Sequence, residues 1–232
     1  MNIKDELKVN GFFHTSFEWD LPIKEMAEHI SDLKKSGKRP VNCFMRDEFW
    51  QLTVRLDPLI KSILGPNYRR LSELWAWHVD PAQNERGWKI HRDKDIRTLH
   101  KDGSPKSITI WIPLTDTNEE NGCMYVVPIN KDPDYHLDLD QTNLYGDNVA
   151  QPLPAKAGDV LGWTQALLHW GGKPTNPNAP PRISVSYEFA QTDAGSFRKD
   201  TETFDPFYIP SEEEKEAIIK KQVKQYHHMW VS

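Results

Sequence analysis

The sequence predicts a mainly β fold with flanking helices. Between about residues 71 and 190, short stretches of alternating apolar and polar residues are separated by turn signals, which is typical of a β-sandwich or barrel. The 232 residues include 17 prolines and 12 glycines, which favours many turns. Helical spacing of apolar residues is confined to the flanks, at about 20–65 and 211–226. We therefore expect one domain over residues 1–232.

The N-terminal flank is expected to contain a short edge strand and two helical stretches. The strand candidate lies at residues 9–13. An amphipathic helix is predicted over 21–36, with Asp20 as its N-cap. A second helical stretch is predicted over 46–64, and Asp57 together with the following proline should restart it. These helices are expected to cover one face of a sheet.

The central part is expected to supply the strands. They are predicted at 74–79, 107–112, 123–127, 160–163 and 182–189, with loops at 130–155 and 171–181 and an irregular stretch at 190–210. A capping box at 211–214 predicts the start of a terminal helix. That helix could dock on the sheets or on a partner subunit, so a homodimer is among the expectations.

Composition and charge exclude several classes of function. The formal net charge is −5, with acidic and basic residues interspersed, so no basic patch predicts binding to nucleic acid or to a membrane surface. Two cysteines, Cys43 and Cys123, are too few for a disulfide framework. The N-terminus is polar and lacks the features of a signal peptide. These observations predict a reduced, cytoplasmic protein.

The sequence contains several His-x-Asp pairs, and those at 78–80, 91–93 and 136–138 are weighed as candidates for a metal site. A chain with nine histidines and 34 acidic residues should contain about one His-x-acid pair by chance, so the pattern alone decides nothing. His136 lies in a polar loop, which favours a solvated histidine. His78 is followed closely by Pro81, and could contact a co-substrate or belong to the core. His91, which follows Gly87-Trp88 and precedes an alternating strand, has the most favourable context.

Metal chemistry explains why these residue types matter. Residues i and i+2 of a strand point to the same side, so His91 and Asp93 could bind one metal ion from adjacent positions. A second imidazole from a distant segment, such as His169, would complete a two-His-one-carboxylate set that leaves open positions on iron(II).

The stretch 182–189 alternates between polar and apolar residues. Arg182, Ser184, Ser186 and Glu188 should share one face, and the apolar residues between them the other. The polar face could simply be solvated. Alternatively, Arg182 points into the fold and binds a carboxylate through two hydrogen bonds, with Ser184 adding a third.

Taken in order, these segments resemble the phytanoyl-CoA dioxygenase family of iron(II)- and 2-oxoglutarate-dependent oxygenases. The resemblance covers about residues 74–190 and lies in His91-x-Asp93, 110–116, 121–128, 157–160, His169 and Arg182. It departs from the family pattern at 128–131, where Pro-Ile-Asn-Lys replaces the frequent Gly-Ser-His after the Val-Pro segment.

The resemblance implies a double-stranded β-helix, the cupin-like jelly roll. It also implies iron(II), 2-oxoglutarate and dioxygen as cofactor and co-substrates. His91, Asp93 and His169 would be the catalytic iron ligands, and Arg182 with Ser184 would hold the far carboxylate of 2-oxoglutarate. His78 is a further candidate for contact with the co-substrate.

The expected reaction is hydroxylation of a small molecule, a metabolite or natural-product intermediate. A carboxylate at Asp93 favours hydroxylation or desaturation over halogenation, because related halogenases carry a small residue there. Trp88 and Trp111 are candidates for contact with the substrate. The alternative is a cupin-like metal-dependent isomerase or a non-catalytic jelly-roll binding module, and the presence of Arg182 argues against it.

Overall fold

The fold consists of two antiparallel sheets and a layer of helices, in a computed structural model that describes residues 2–144, 148–194 and 201–229. The strands are β1 Phe12–Thr15, β2 Tyr68–Val79, β3 Ser107–Pro113, β4 Met124–Val126, β5 Gln151–Leu153, β6 Val160–Thr164, β7 His169–Gly171, β8 Arg182–Gln191 and β9 Thr203–Phe204. The larger sheet has the order β1-β6-β3-β8-β2-β9, and the smaller has the order β5-β4-β7. The predicted mainly β class is confirmed.

The helices are α1 Ile3–Asn10, α2 Ile23–Lys35, α3 Asp47–Arg55, α4 Asp57–Leu64 and α5 Glu212–Gln225. A 3-10 helix, Pro40–Met45, links α2 to α3. Within the described residues, no helix combines the length and the apolar character that crossing a membrane requires.

The larger sheet has a different neighbour on each face. Apolar side chains of β3 and β8, including Ile110, Val185 and Phe189, share one buried cluster with residues of α2, α3, α4 and α5. On the other face, Trp111 and Trp163 share a second cluster with Met124 and other residues of the smaller sheet. Alternation along β8 therefore turns its apolar residues towards the helices and its polar residues towards the space between the sheets.

Several element boundaries differ from those predicted. Residues 3–10 form α1, so the strand expected over 9–13 begins only at Phe12; Gly11 ends the helix with a left-handed φ of 85°. The predicted N-cap role of Asp20 is wrong. Its carboxylate instead accepts a hydrogen bond from Arg55 Nε at 2.8 Å, and α2 begins at Ile23.

Three short strands lie where the sequence predicted no strand. These are β5, β7 and β9, of three, three and two residues. Stretches this short carry no measurable alternation, so periodicity could not predict them. The strand predicted at 74–79 is longer than expected and begins at Tyr68.

The terminal helix α5 begins with the predicted capping box at Ser211 and Glu214. It packs against the 3-10 helix Pro40–Met45 and against β2, and the buried Lys215 forms a salt bridge to Asp47. The sequence left open whether this helix docks on the sheets or on a partner subunit, and the structure shows it docked on its own chain. This packing places Tyr226, directly after the helix, beside the space between the sheets.

Candidate metal centre and adjoining cavity

Two segments far apart in sequence bring the histidines together. His91 and His169 form an isolated antiparallel bridge, in which His91 N donates to His169 O at 3.0 Å and His169 N donates to His91 O at 2.9 Å. Their imidazole centroids are 4.3 Å apart. His91 therefore lies at a single bridge pair rather than within a regular strand, and that bridge sets its position relative to His169.

Asp93 completes a group that could bind one metal ion. Its Oδ1 lies 3.5 Å from His91 Nε2 and 3.6 Å from His169 Nε2. All three candidate ligand atoms lie within 4.8 Å of one another. Among residues 2–144, 148–194 and 201–229, no second group of three His, Cys, Asp or Glu side chains is this close. Two imidazoles and one carboxylate form a donor set that suits a divalent transition metal.

Outer hydrogen bonds orient each candidate ligand atom. The Nδ1 atoms of His91 and His169 lie 2.7 Å from Lys89 O and 2.9 Å from Leu167 O. Since a carbonyl oxygen only accepts, both Nδ1 atoms carry the proton and both Nε2 lone pairs are left for a metal.

Asp93 is held on the side away from the imidazoles. Its Oδ2 accepts a hydrogen bond from Thr109 Oγ1 at 2.7 Å and another from Trp163 Nε1 at 3.1 Å. Thr109 and Trp163 are register partners on β3 and β6, so adjacent strands deliver both donors to one oxygen. Oδ1 is thereby directed towards the two histidines.

The surroundings of His169 and Asp93 favour the forms of these two side chains that bind metal. Burial lowers the pKa of His169 to about 4, so its imidazole is neutral at neutral pH. Burial raises the pKa of Asp93, but the nearby imidazoles and the Thr109 hydroxyl outweigh it and hold that pKa well below its usual range. Neutral imidazoles and an ionised carboxylate are the states that metal ligation requires.

A buried polar network continues behind Thr109. Gln165 Nε2 donates to Glu188 Oε2 at 2.7 Å, and Lys94 forms a salt bridge to the same oxygen. Gln165 Oε1 accepts from the Ser107 hydroxyl. This network braces the strands that hold Asp93, because its hydrogen bonds join β3, β8 and the segment beyond β6.

Arg182 is a buried cation that forms no salt bridge to an acidic side chain of the described residues. It is 1% exposed, and its Nε and Nη2 have no hydrogen-bond partner among the described residues. Among the same residues, Nη1 has the sulfur of Met124 as its hydrogen-bond partner, at 3.5 Å, and the guanidinium lies 5.8 Å from the Trp111 ring centroid. Burial lowers the pKa of Arg182 to about 10, so it stays charged at neutral pH. An unpaired buried charge is costly, and an anionic ligand would remove that cost.

Ser184 lies next to Arg182 on the same face of β8. It is fully buried, and its Oγ has no hydrogen-bond partner among the described residues. It is not among the side chains that line the cavity described below. Two neighbouring buried polar groups without partners nevertheless indicate that this end of β8 is shaped for a polar ligand.

Two glycines make room for the Arg182 guanidinium. A Cβ atom at Gly87 would lie 2.6 Å from Arg182 Nη2, and one at Gly171 would lie 3.0 Å from it. The two glycine backbones also approach each other, since the Cβ at Gly171 would lie 2.7 Å from the Cα of Gly87. Any larger residue at either position would displace backbone or the guanidinium. The segments that carry His91 and His169 thus also cradle Arg182.

One cavity, which opens to solvent, connects these groups. Its lining contains the three candidate metal ligands and Arg182, together with both predicted substrate contacts, Trp88 and Trp111. Further side chains that line it are Glu73, Trp75, Trp77, Thr109, Trp163, Ser186, Glu188 and Tyr226.

His78 is not among the residues that line this cavity. It follows Trp77 on β2, and because successive strand residues point to opposite faces, it is directed away from the cavity that Trp77 lines. The structure gives its predicted contact with a co-substrate no support, and that contact stays a prediction. Burial lowers the pKa of His78, which agrees with the alternative of a partly buried packing residue.

Sequence reasoning missed several residues of the site. Trp163 donates a hydrogen bond to Asp93, and Gln165 belongs to the polar network behind Thr109. Glu73 and Tyr226 line the cavity. None of the four belongs to a motif. Buried polar residues within apolar strand patterns, as at Glu73 and Gln165, were the only available signal.

Comparisons with known proteins agree with this geometry. The sequence model of the phytanoyl-CoA dioxygenase (PhyH) family matches residues 18–183. Among curated protein sequences, none matches the chain.

Solved structures with a similar fold include three that are described as follows. The non-haem α-ketoglutarate-dependent epimerase SnoN from nogalamycin biosynthesis has a TM-score of 0.61 at 15% identity, with 90% of each chain covered. AviO1 from Streptomyces viridochromogenes Tue57 has a TM-score of 0.57 at 16% identity, covering 84% of this chain and 96% of AviO1. The nickel complex of the non-haem monooxygenase ThoJ has a TM-score of 0.56 at 13% identity, with 98% of each chain covered. These likenesses show a shared fold and confirm the predicted jelly roll.

Proposed function

The chain belongs to the phytanoyl-CoA dioxygenase family, and from this membership we propose that it is an iron(II)- and 2-oxoglutarate-dependent enzyme that hydroxylates a small molecule. The family uses iron(II), 2-oxoglutarate and dioxygen. The observation that carries the proposal is that one cavity contains both the His91-Asp93-His169 group and the unpartnered Arg182.

In this proposal, His91 Nε2, His169 Nε2 and Asp93 Oδ1 would bind iron(II). The residues present fit the metal, because their outer hydrogen bonds leave these three atoms as the available donors. Three protein ligands leave open positions for a co-substrate and dioxygen, and the bound iron supplies the oxidative chemistry.

The same cavity fits 2-oxoglutarate. Arg182 would bind the carboxylate that is remote from the metal, and the Ser184 hydroxyl would add a hydrogen bond. The aromatic lining would exclude water from the reacting atoms. A cupin-like isomerase or a binding module would leave this buried cation without a function, so we favour the oxygenase.

Hydroxylation is the finer part of the proposal. The fold neighbours are described as an epimerase and a monooxygenase, so the fold itself supports more than one oxidative outcome. A carboxylate at position 93 provides the full set of three protein ligands. We propose that transfer of an oxygen atom to the substrate follows, and that Trp88 and Trp111 contact the substrate or co-substrate.

The first experiment tests the metal and co-substrate directly. Iron(II) and then 2-oxoglutarate are added to the purified protein without oxygen, and we expect a visible charge-transfer band. His169→Ala should lose the band because it loses one of the two imidazole ligands. Iron binding by the wild-type protein without any band would contradict the oxygenase and favour the alternative.

The second experiment tests the reaction. Candidate metabolites are screened for substrate-dependent release of succinate, and products are analysed by mass spectrometry under ¹⁸O₂. Incorporation of one labelled oxygen atom into the product formed from the metabolite would support hydroxylation. Succinate release with an unlabelled isomer or desaturated product would retain the family assignment and overturn hydroxylation.

Compartment, domain organisation and assembly stay predictions. Cys43 and Cys123 are buried free thiols, which is compatible with the expected reduced, cytoplasmic compartment. We propose that residues 1–232 form one catalytic domain, and light scattering would measure whether it forms the homodimer considered above.

A further inference from the structure

One buried carboxylate in the cavity has no part in the proposed metal or 2-oxoglutarate sites. Glu73 lies on β2 and is 1% exposed, yet it lines the cavity. Because Leu74 pairs with Tyr187, Glu73 lies near the level of Glu188 on the neighbouring strand β8. Glu188 and Arg182 are six residues apart on that strand, a separation of roughly 20 Å. Glu73 therefore lies towards the opposite end of the cavity from Arg182.

The partners of Glu73 differ from those of Glu188. Glu188 has a cationic partner in the buried Lys94. Glu73 accepts hydrogen bonds from two hydroxyls, those of Thr201 and Ser72. Within the part of the chain that the structure describes, no salt bridge joins Glu73 to a lysine, arginine or histidine. Hydroxyls do not neutralise a buried carboxylate, so its charge is left for a ligand to balance.

The Glu73 carboxylate also has no balancing positive charge when the proposed iron(II) and 2-oxoglutarate are bound. The two positive charges of iron(II) and the one of Arg182 balance Asp93 and the two carboxylates of 2-oxoglutarate. Lys94 balances Glu188. Glu73 then leaves the loaded cavity with one negative charge, and a cavity of low dielectric attracts a cation under these conditions.

The aromatic side chains near Glu73 suit a ligand that combines a hydrocarbon part with a positively charged group. Trp75, on the same strand, has its ring centroid 5.7 Å from that of Trp88 and 5.3 Å from that of Tyr226. Trp77 lies 5.1 Å from Trp88. Such faces bury the hydrocarbon part of a ligand, and they also attract a positive charge through their π electrons.

We propose that Glu73 determines substrate specificity by binding a positively charged amine or guanidine group on an apolar substrate. The inference rests on the proposed function, because the charge count assumes bound iron(II) and 2-oxoglutarate. It adds to that function the chemical class of the substrate and the residue that selects it.

The experiment uses three probes of similar shape and different charge. 3-Phenylpropylamine is a cation, 3-phenylpropanamide is neutral and 3-phenylpropanoate is an anion. Each is titrated by anaerobic calorimetry into the protein loaded with iron(II) and 2-oxoglutarate. We expect the amine to bind at least about tenfold more tightly than the amide, as for one charge-assisted hydrogen bond, and the anion to bind most weakly.

The variant Glu73→Gln keeps the size of the side chain and an oxygen that can accept from Thr201. It should abolish the preference, so that amine and amide bind with Kd values within about twofold of each other. Glu202→Gln is the matched control, because Glu202 is a nearby exposed carboxylate paired with Lys221. It should retain the wild-type preference. Thermal unfolding would show whether both variants are folded.

Equal or tighter binding of the amide or the anion by the wild-type protein would overturn the proposal, as would the absence of binding by all three probes. Persistence of the amine preference in Glu73→Gln would also overturn it. The wild-type series needs no variant and therefore decides the matter even if Glu73→Gln fails to fold. The charge-transfer band with 2-oxoglutarate tests the proposed function separately: a band without cation preference rejects only the role of Glu73.

Discussion

Replacement of Arg182 by methionine separates a role in binding 2-oxoglutarate from a role in folding. The side chain is 1% exposed and has no carboxylate partner among the described residues. Methionine has similar length and no charge. Two quantities should therefore respond differently: the affinity for 2-oxoglutarate should fall, while the stability of the ligand-free protein should be unchanged or rise.

The magnitudes follow from the burial of the charge. Loss of one partner from a buried charged hydrogen-bonded pair costs about 2–5 kcal/mol, so the Kd for 2-oxoglutarate should rise by about 30-fold or more. Replacement of a whole buried ion pair by apolar residues is often neutral or stabilising by about 1–4 kcal/mol, and a buried charge without a counter-ion has no ion-pair attraction to lose in the ligand-free protein. The contact of Arg182 with Trp111 offsets part of this gain, at about 0.5–2 kcal/mol. The Tm should thus be unchanged or raised by a few degrees.

Arg92→Met is the matched control for stability. Arg92 is also a buried arginine, but it donates two hydrogen bonds to the buried Asp132, at 2.6 and 3.0 Å. Its loss should destabilise the ligand-free protein by about 3–5 kcal/mol.

Chemical denaturation measures the free energy of unfolding of each variant without ligand, and anaerobic titration of the visible band measures the Kd. Two results would refute the reasoning. One is destabilisation of Arg182→Met comparable to that of Arg92→Met, and the other is an unchanged Kd for 2-oxoglutarate.

Three further perturbations test the surroundings of the site. Thr109→Val removes a donor to Asp93, and metal affinity, measured by competition with a chelator, should fall about 10- to 100-fold; unchanged affinity would exclude a positioning role. Gly171→Ala places a Cβ atom against the Arg182 guanidinium. This variant should bind 2-oxoglutarate more weakly, and its free energy of unfolding should be lower by about 1–3 kcal/mol. A variant with wild-type stability and wild-type affinity would show that Arg182 does not need the space that this glycine leaves. Burial lowers the pKa of His78 from its ordinary 6.5, so its contribution to stability is complete above that pH and is lost as the pH falls. Between about pH 7 and pH 5, His78→Gln should therefore lose less free energy of unfolding than the wild-type protein, as measured with urea. Its Kd for 2-oxoglutarate should be unchanged. A higher Kd would support a contact between His78 and the co-substrate.

Local patterns in the sequence predicted much of the fold. Alternation from Arg182 to Phe189 predicted both the strand and the division of its faces, and the structure contains both. The capping box at Ser211 predicted the start of the terminal helix. These features depend on residues within a few positions of one another, which is why periodicity and capping chemistry could predict them.

The candidate site was predictable only in part, since the His-x-Asp pattern occurs several times in the sequence. Context selected His91 and Asp93, and the resemblance to a family supplied His169. The tertiary structure brings these three side chains within reach of one ion, and His78 is not among the residues that line their cavity.

Only the tertiary structure decided what surrounds the three candidate ligands. Thr109 and Trp163 reach the same oxygen of Asp93 because β3 and β6 are neighbours in the sheet. Glu73 and Tyr226 meet in one cavity because α5 packs against β2. The order of strands and the docking of a helix depend on contacts between residues far apart in sequence. Periodicity reports which face of an element is buried, and it contains no information about which partner covers that face.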